Sequence, residues 1–173
     1  VIEDACHALG GQYKGRRVGC GEFSDGVVFS LHPVKTITTG EGGLILVNSE
    51  DTYQKLRSMR SHGMSRGEVA NDLWRGNWHS EMVGEGFNFK LSEMQCAMGT
   101  SQLAKADRFV AKRAQLVECY RERLADLPIR FQRTHPDVRS SHHLCVGLFD
   151  FDAIGMTKRE VYGELKKRGV HLY

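Results

Sequence analysis

Four side chains near the start of the chain have the types and placement to do chemistry together: Asp4, His7, Ser30 and Lys35. Asp4 and Ser30 each stand at the end of a short apolar run, and Lys35 closes the stretch Ser30-Leu31-His32-Pro33-Val34-Lys35. In open α/β sheets the ligand crevice lies beyond the carboxyl ends of the strands, so residues placed there converge on one cleft. A lysine in apolar surroundings gives up its proton more readily, and a neutral amine attacks aldehydes. A carboxylate can pair with a protonated pyridine nitrogen, which turns a pyridoxal ring into an electron sink. A serine hydroxyl can donate to a phosphate oxygen. Taken singly, each has a plainer reading, since most lysines are solvated and Asp4 could cap a helix. Together, at strand ends, they are harder to dismiss as a group able to hold pyridoxal phosphate (PLP).

The elements that must position these groups are legible as short apolar runs bounded by glycine: Val1-Ile2, then Gly26 to Leu31, then Gly43 to Val47. Runs of this length, rich in branched residues, predict strands buried on both faces and hence a layered α/β sheet. Ser49 is placed to cap a helix over 50–62 carrying Tyr53, Leu56 and Met59, with Gly63 as its stop. Residues 65–89 are irregular and polar, with Gly67, Gly76, Gly84 and Gly86. A loop that long is usually functional or disordered. Its tryptophans, Trp74 and Trp78, could stack on a sugar or uracil ring or simply pack the loop down. Ser92 and Gln95 have capping-box spacing and open a helical region, two helices or one bent one, that runs through Leu103, Phe109, Leu116, Tyr120 and Leu124 to Pro128. A strand over 143–149 and a helix from Thr157 to Arg168, capped by Thr157 and Glu160, follow. The change of pattern near Pro128 predicts part of a large domain over 1–127 and the start of a smaller one over 128–173. The opening Val1-Ile2-Glu3-Asp4 reads as the tail of a strand and the closing Val170-His171-Leu172-Tyr173 as the approach to another, so both ends look cut from a longer protein.

Composition narrows the partners. The 173 residues are 40% hydrophobic and 26% charged, ordinary for a folded domain with a core. A net charge of +3, with basic residues scattered among acidic ones, makes no track for a nucleic-acid backbone. No apolar run approaches the roughly 20 residues that span a bilayer, and the expectation is a cytoplasmic protein without a membrane or nucleic-acid partner. The five cysteines are irregularly spaced and suit reduced, packed thiols, and the His142-His143 pair lacks a third ligand at metal spacing and reads as strand-edge polarity.

The run Val1 to Gly10, the segment Phe29-Ser30-Leu31-His32-Pro33-Val34-Lys35, and Thr38-Thr39-Gly40-Glu41-Gly42-Gly43 together resemble the DegT-like sugar aminotransferases of fold type I. Gly86-Phe87-Asn88-Phe89-Lys90-Leu91-Ser92-Glu93-Met94-Gln95 is similar to a further segment of that family. The resemblance implies a three-layer αβα large domain, truncated at both ends, plus the start of a small α/β domain. It implies Lys35 as the Schiff-base lysine, Asp4 on the pyridine nitrogen, Ser30 on the cofactor phosphate and His7 near the phenolic oxygen. His7, where many members have Gln, is similar to enzymes that aminate a UDP-linked 4-keto-6-deoxy-N-acetylhexosamine. Asn88 matches a residue that reaches the phosphate in the partner subunit, which implies a homodimer. Members that act as dehydratases carry His in place of the lysine, so Lys35 favours amino transfer from a donor such as glutamate to a keto-sugar nucleotide. Two other readings stand beside this one: a non-catalytic scaffold that keeps the PLP fold, and a fragment inactive by itself. The Gly40, Gly42 and Gly43 turn fits close passage of backbone by a ligand or the lysine loop, while Glu41 and His32 could act there or be structural.

Overall fold

The computed structural model describes residues 1–65 and 80–170. In chain order the elements are β1 (Ile2–Asp4), β2 (Gln12–Tyr13), β3 (Arg16–Arg17), β4 (Gly26–Ser30), β5 (Gly43–Val47), α1 (Glu50–Met59), β6 (Met64–Ser65), β7 (Glu81–Met82), α2 (Glu93–Leu103), α3 (Ala106–Arg123), β8 (Ile129–Phe131), β9 (Val138–Arg139), β10 (Gly147–Phe149), α4 (Phe151–Ile154) and α5 (Lys158–Lys167). The expected tryptophan loop lies largely outside the described residues, as do Trp74, Trp78 and the closing His171-Leu172-Tyr173.

The sheet that matters has the order β1-β4-β5. Strands β1 and β4 run parallel with Asp4 opposite Val28, and β5 runs antiparallel to β4 with Gly43 opposite Ser30. The carboxyl ends of β1 and β4 therefore share one edge, and the segment joining β4 to β5 starts and finishes there. Val27 and Phe29 on β4 are 2% and 5% exposed and pack with Ala5, Ala8, Leu9 and Val18. A second cluster joins Leu31 and Ile37 of the lysine loop to Ala106 and Phe109 of α3, with Leu91 alongside.

Burial on both faces holds for β4 and not for its neighbours. Ile2 is 78% exposed and Ile45 54% exposed. The reason is position: among the described residues β4 is the only strand of this sheet with a partner on each side, and β1 and β5 are edges. An antiparallel edge strand on an otherwise parallel sheet is a common arrangement.

The helix starts follow the sequence closely. The Ser49 hydroxyl accepts from the Thr52 N–H, and Ser92 with Gln95 and Thr157 with Glu160 form reciprocal capping boxes. The region 92–124 is two helices, α2 and α3, joined at Ala104 and Lys105. Helix α1 ends at Met59, earlier than the predicted 62, because His62 and Gly63 take left-handed φ values of 62° and 66°. Gly63 and Gly86 are packed backbone to backbone, leaving no room for a Cβ on either.

The predicted strand over 143–149 shortens to β10, which pairs with β8. Residues upstream of it turn away from a strand path. His142 takes φ 49°, and the Arg113 guanidinium donates to the carbonyls of His142 (3.3 Å) and His143 (3.0 Å). That turn carries the segment back onto the first part of the chain, where β9 pairs with β2 and the buried Ser141 hydroxyl donates to the His7 carbonyl at 3.0 Å.

Candidate active site

Asp4 ends β1 with its carboxylate exposed, and its Oδ1 accepts from the Cys6 backbone N–H at 3.1 Å. The Cys6 thiol and that N–H hold the Asp4 carboxyl below its ordinary value, with smaller help from the positive charges of His7 and Lys35. The same contact pushes the Cys6 thiol up, since a thiol that donates to a carboxylate resists ionising. Asp4 is therefore a fixed negative charge at the strand end, with His7 and Lys35 close enough to feel it.

Lys35 sits half-buried in a loop whose polar groups are almost all engaged. Its backbone N–H donates to the His32 carbonyl at 3.0 Å. The Leu31 N–H donates to the Gly42 carbonyl, while the Leu31 carbonyl accepts from both the Thr39 N–H and the Thr38 hydroxyl. Thr39, 2% exposed, donates from Oγ1 to the Glu41 carbonyl at 2.7 Å. Gly42 has φ 147°, and a Cβ there would meet Leu91 Cδ2 at 2.7 Å and Thr39 Oγ1 at 2.8 Å, so glycine is required at that point. Within the loop, His32 Nε2 faces Glu41 Oε1 at 3.8 Å, which pairs the two residues whose roles the sequence left open.

Gln95 adds a link that spacing alone could only half suggest. Its Oε1 accepts from the Ser92 N–H at the start of α2, and its Nε2 donates to the Glu41 carbonyl at 3.1 Å. One amide side chain thus caps a helix and anchors the lysine loop to it.

Ser30 lies at the end of β4, two residues beyond the Asp4 partner Val28, and its Oγ accepts from the His32 N–H at 3.3 Å. Asp4, His7, Ser30 and Lys35 therefore share one sheet edge, as the strand-end argument requires. Asn88 stands elsewhere: it is exposed and bridges to Ser61, and among the described residues it makes no hydrogen bond or ion pair with the other four. A groove lined by Val117, Arg121, His135 and His142, among others, contains none of the five.

The residue that sequence reasoning missed is His143. Its ring lies tilted against that of His7, with centroids 4.2 Å apart and planes at 40°. Burial holds its basicity below that of an ordinary histidine, reinforced by the positive charges of His7, Lys35 and Arg113. Nothing in local spacing signals this, because the segment is tied to His7 by a Ser141 hydrogen bond spanning 134 residues.

An ionised carboxylate, a primary amine and a hydroxyl at adjacent strand ends form a donor set suited to a phosphorylated pyridine aldehyde. Known proteins carry the same arrangement of chain. A UDP-4-amino-4,6-dideoxy-N-acetyl-beta-L-altrosamine transaminase of Campylobacter jejuni is 33% identical over 98% of this chain and 43% of its own length. Helicobacter pylori PseC, an aminotransferase involved in the biosynthesis of pseudoaminic acid, superposes on 97% of the chain and 43% of its own with a TM-score of 0.81 and 35% identity. Spr1654 of Streptococcus pneumoniae, solved in a PMP-form, superposes with a TM-score of 0.83 and 27% identity over 97% of this chain and 43% of that one. The chain spans less than half the length of these relatives. The α/β, three-layer αβα architecture of fold type I expected from the sequence is thus the fold of this chain. Residues 1–172 match the DegT/DnrJ/EryC1/StrS aminotransferase family, and the chain belongs to it.

Proposed function

We propose that this chain is the lysine-bearing part of a PLP-dependent aminotransferase that moves an amino group, with glutamate as donor, onto a keto-sugar nucleotide for surface-glycan synthesis. The observation that carries the reading is the ionised Asp4 carboxylate beside Lys35 and His7 at the shared end of two parallel strands. When bound, PLP supplies an aldehyde that condenses with amines and a ring that withdraws electrons from the carbon beside the nitrogen. Asp4 keeps the pyridine nitrogen protonated by staying ionised itself. Lys35 Nζ holds the cofactor at rest and, once displaced, moves a proton between the C4′ side and the substrate carbon as general acid and base. His7 donates toward the phenolic oxygen and Ser30 toward the phosphate.

Asn88, exposed and paired with Ser61 instead of joining that cluster, reaches the phosphate of a second subunit in a homodimer. The stretch 1–127 belongs to the large domain and 128–173 begins the small one. The transaminases among the relatives support a UDP-linked 4-keto-6-deoxy-N-acetylhexosamine as the sugar substrate. Among the described residues no helix is long and apolar enough to cross a membrane, and the cytoplasm is the compartment proposed. The test is the visible absorption spectrum of the full-length protein mixed with PLP and then with glutamate. A band that forms and is bleached by glutamate supports the reading, and the absence of any band overturns it.

A further inference from the structure

We propose that His143, brought in from the far part of the chain, is a positioning residue whose ring sets the orientation of the His7 imidazole at the cofactor site. The inference rests on the reading above, in which His7 stands beside the phenolic oxygen of PLP. His7 is exposed, and among the described residues no hydrogen bond engages its ring, so the tilted contact with the His143 ring, centroids 4.2 Å apart, is what restrains it. The terminal torsion of a histidine is otherwise broad, and a ring left free would sample several orientations. Aromatic rings in contact attract each other beyond the area they bury.

The surroundings hold His143 in place for that task. Ser141 is 3% exposed and donates to the His7 carbonyl at 3.0 Å, so the two backbones are tied two residues from the stack. Arg113 donates to the carbonyls of His142 and His143. Between these anchors His142 adopts a left-handed φ of 49°, a conformation uncommon outside glycine. His143 Nδ1 is buried with no hydrogen-bond partner among the described residues. A proton added there would have no acceptor, and Arg113, Lys35 and His7 already supply positive charge nearby. Both disfavour a protonated His143 ring, which packs against His7.

The test uses two readouts on the full-length protein with His143→Ala and His143→Phe. In the cofactor-free protein, the His7 ring protons should carry a ring-current displacement in the NMR spectrum. His143→Ala should abolish it and His143→Phe, which keeps a plate, should retain it. In the PLP-loaded protein, His143→Ala should displace the pH midpoint of the visible cofactor band by about half a unit or more, and His143→Phe should restore it. Loss of the ring-current shift with an unmoved midpoint overturns the proposal, because the stack would then be structural only. So does an unchanged ring-current shift in His143→Ala. If wild-type protein shows the ring-current shift but forms no cofactor band, the PLP reading fails and the positioning role with it, while the ring contact itself remains measured.

Discussion

The lysine loop, residues 31–42, and β5, the strand that follows it, use their side chains in opposite ways. The loop is rich in hydroxyls and glycine, yet Thr36, Ile37 and Thr39 are 6%, 3% and 2% exposed. Strand β5 reads Gly-Leu-Ile-Leu-Val, yet Leu44, Ile45 and Leu46 are 38%, 54% and 44% exposed. Directional hydrogen bonds and a glycine-only close approach hold the loop, whereas the apolar surface of β5 is only partly used. Order at the candidate site is thus built largely from polar groups with defined partners, Thr38, Thr39 and Gln95 among them, and hydrogen-bonded buried polarity rigidifies a structure.

The largest break in that comparison should come from Lys35→Ala, which removes the reactive amine and leaves the loop's hydrogen bonds intact. Turnover in the full-length protein should fall by about a thousandfold or more, with the visible PLP band lost and the melting temperature within about 2 °C of wild type. A large drop in melting temperature would show that the loop depends on the lysine itself. Gly42→Ala attacks the loop's backbone instead. The new methyl meets Leu91 and Thr39 at 2.7 and 2.8 Å in a conformation hostile to L side chains, and should cost about 2–4 kcal/mol in urea denaturation.

Thr39→Val removes one hydroxyl donor without changing shape. The Glu41 carbonyl keeps its bond from Gln95 Nε2, so the loss in the same assay should be about 1 kcal/mol, below the roughly 3 kcal/mol that an orphaned buried acceptor can cost. A Thr39→Val, Gln95→Leu double variant that loses much more than the sum of the singles would show the shared acceptor directly.

Acid sharpens the contrast at the strand end. Asp4 has its folded value depressed, so whatever stability it lends is complete above the ordinary carboxylate range and is lost as pH falls through the lower folded value. Cys6→Ala removes the thiol that leads this effect and leaves the Cys6 N–H bond in place. The Asp4 carboxyl titration followed by NMR should then move up toward the ordinary value. An unmoved midpoint would assign the depression to the backbone bond and the neighbouring charges.

What could be read in advance follows from how local each signal is. The caps at Ser49, Ser92 and Thr157 were legible because a cap and its partner lie within three residues. The shared edge of Asp4, Ser30 and Lys35 was legible because strand ends in an α/β sheet converge by topology. Exposure of β5 was not, since an apolar run records what a strand can bury and not whether it is flanked. The short reach of β10 and the arrival of His143 at His7 were not legible either. Both depend on the turn at His142 and the Arg113 contacts, which join residues far apart in sequence.

The smallest effect tests the other half of the comparison. Ile45 is 54% exposed on an edge strand, and Thr keeps its branched β-carbon and strand preference. Ile45→Thr in this chain should therefore change stability by no more than about 0.5 kcal/mol. The same substitution in the full-length protein discriminates further. If β5 stays an edge there, the change remains within that limit. If further chain or a second subunit covers the Leu44 to Leu46 face, Ile45→Thr buries a hydroxyl where a methylene-rich side chain had packed, and the cost rises to about 1–3 kcal/mol. The difference between the two measurements thus reports how much of the apolar surface of β5 is put to use outside these residues, while the Thr39 and Gly42 effects, set by contacts within the loop and its neighbours, should stay the same in both.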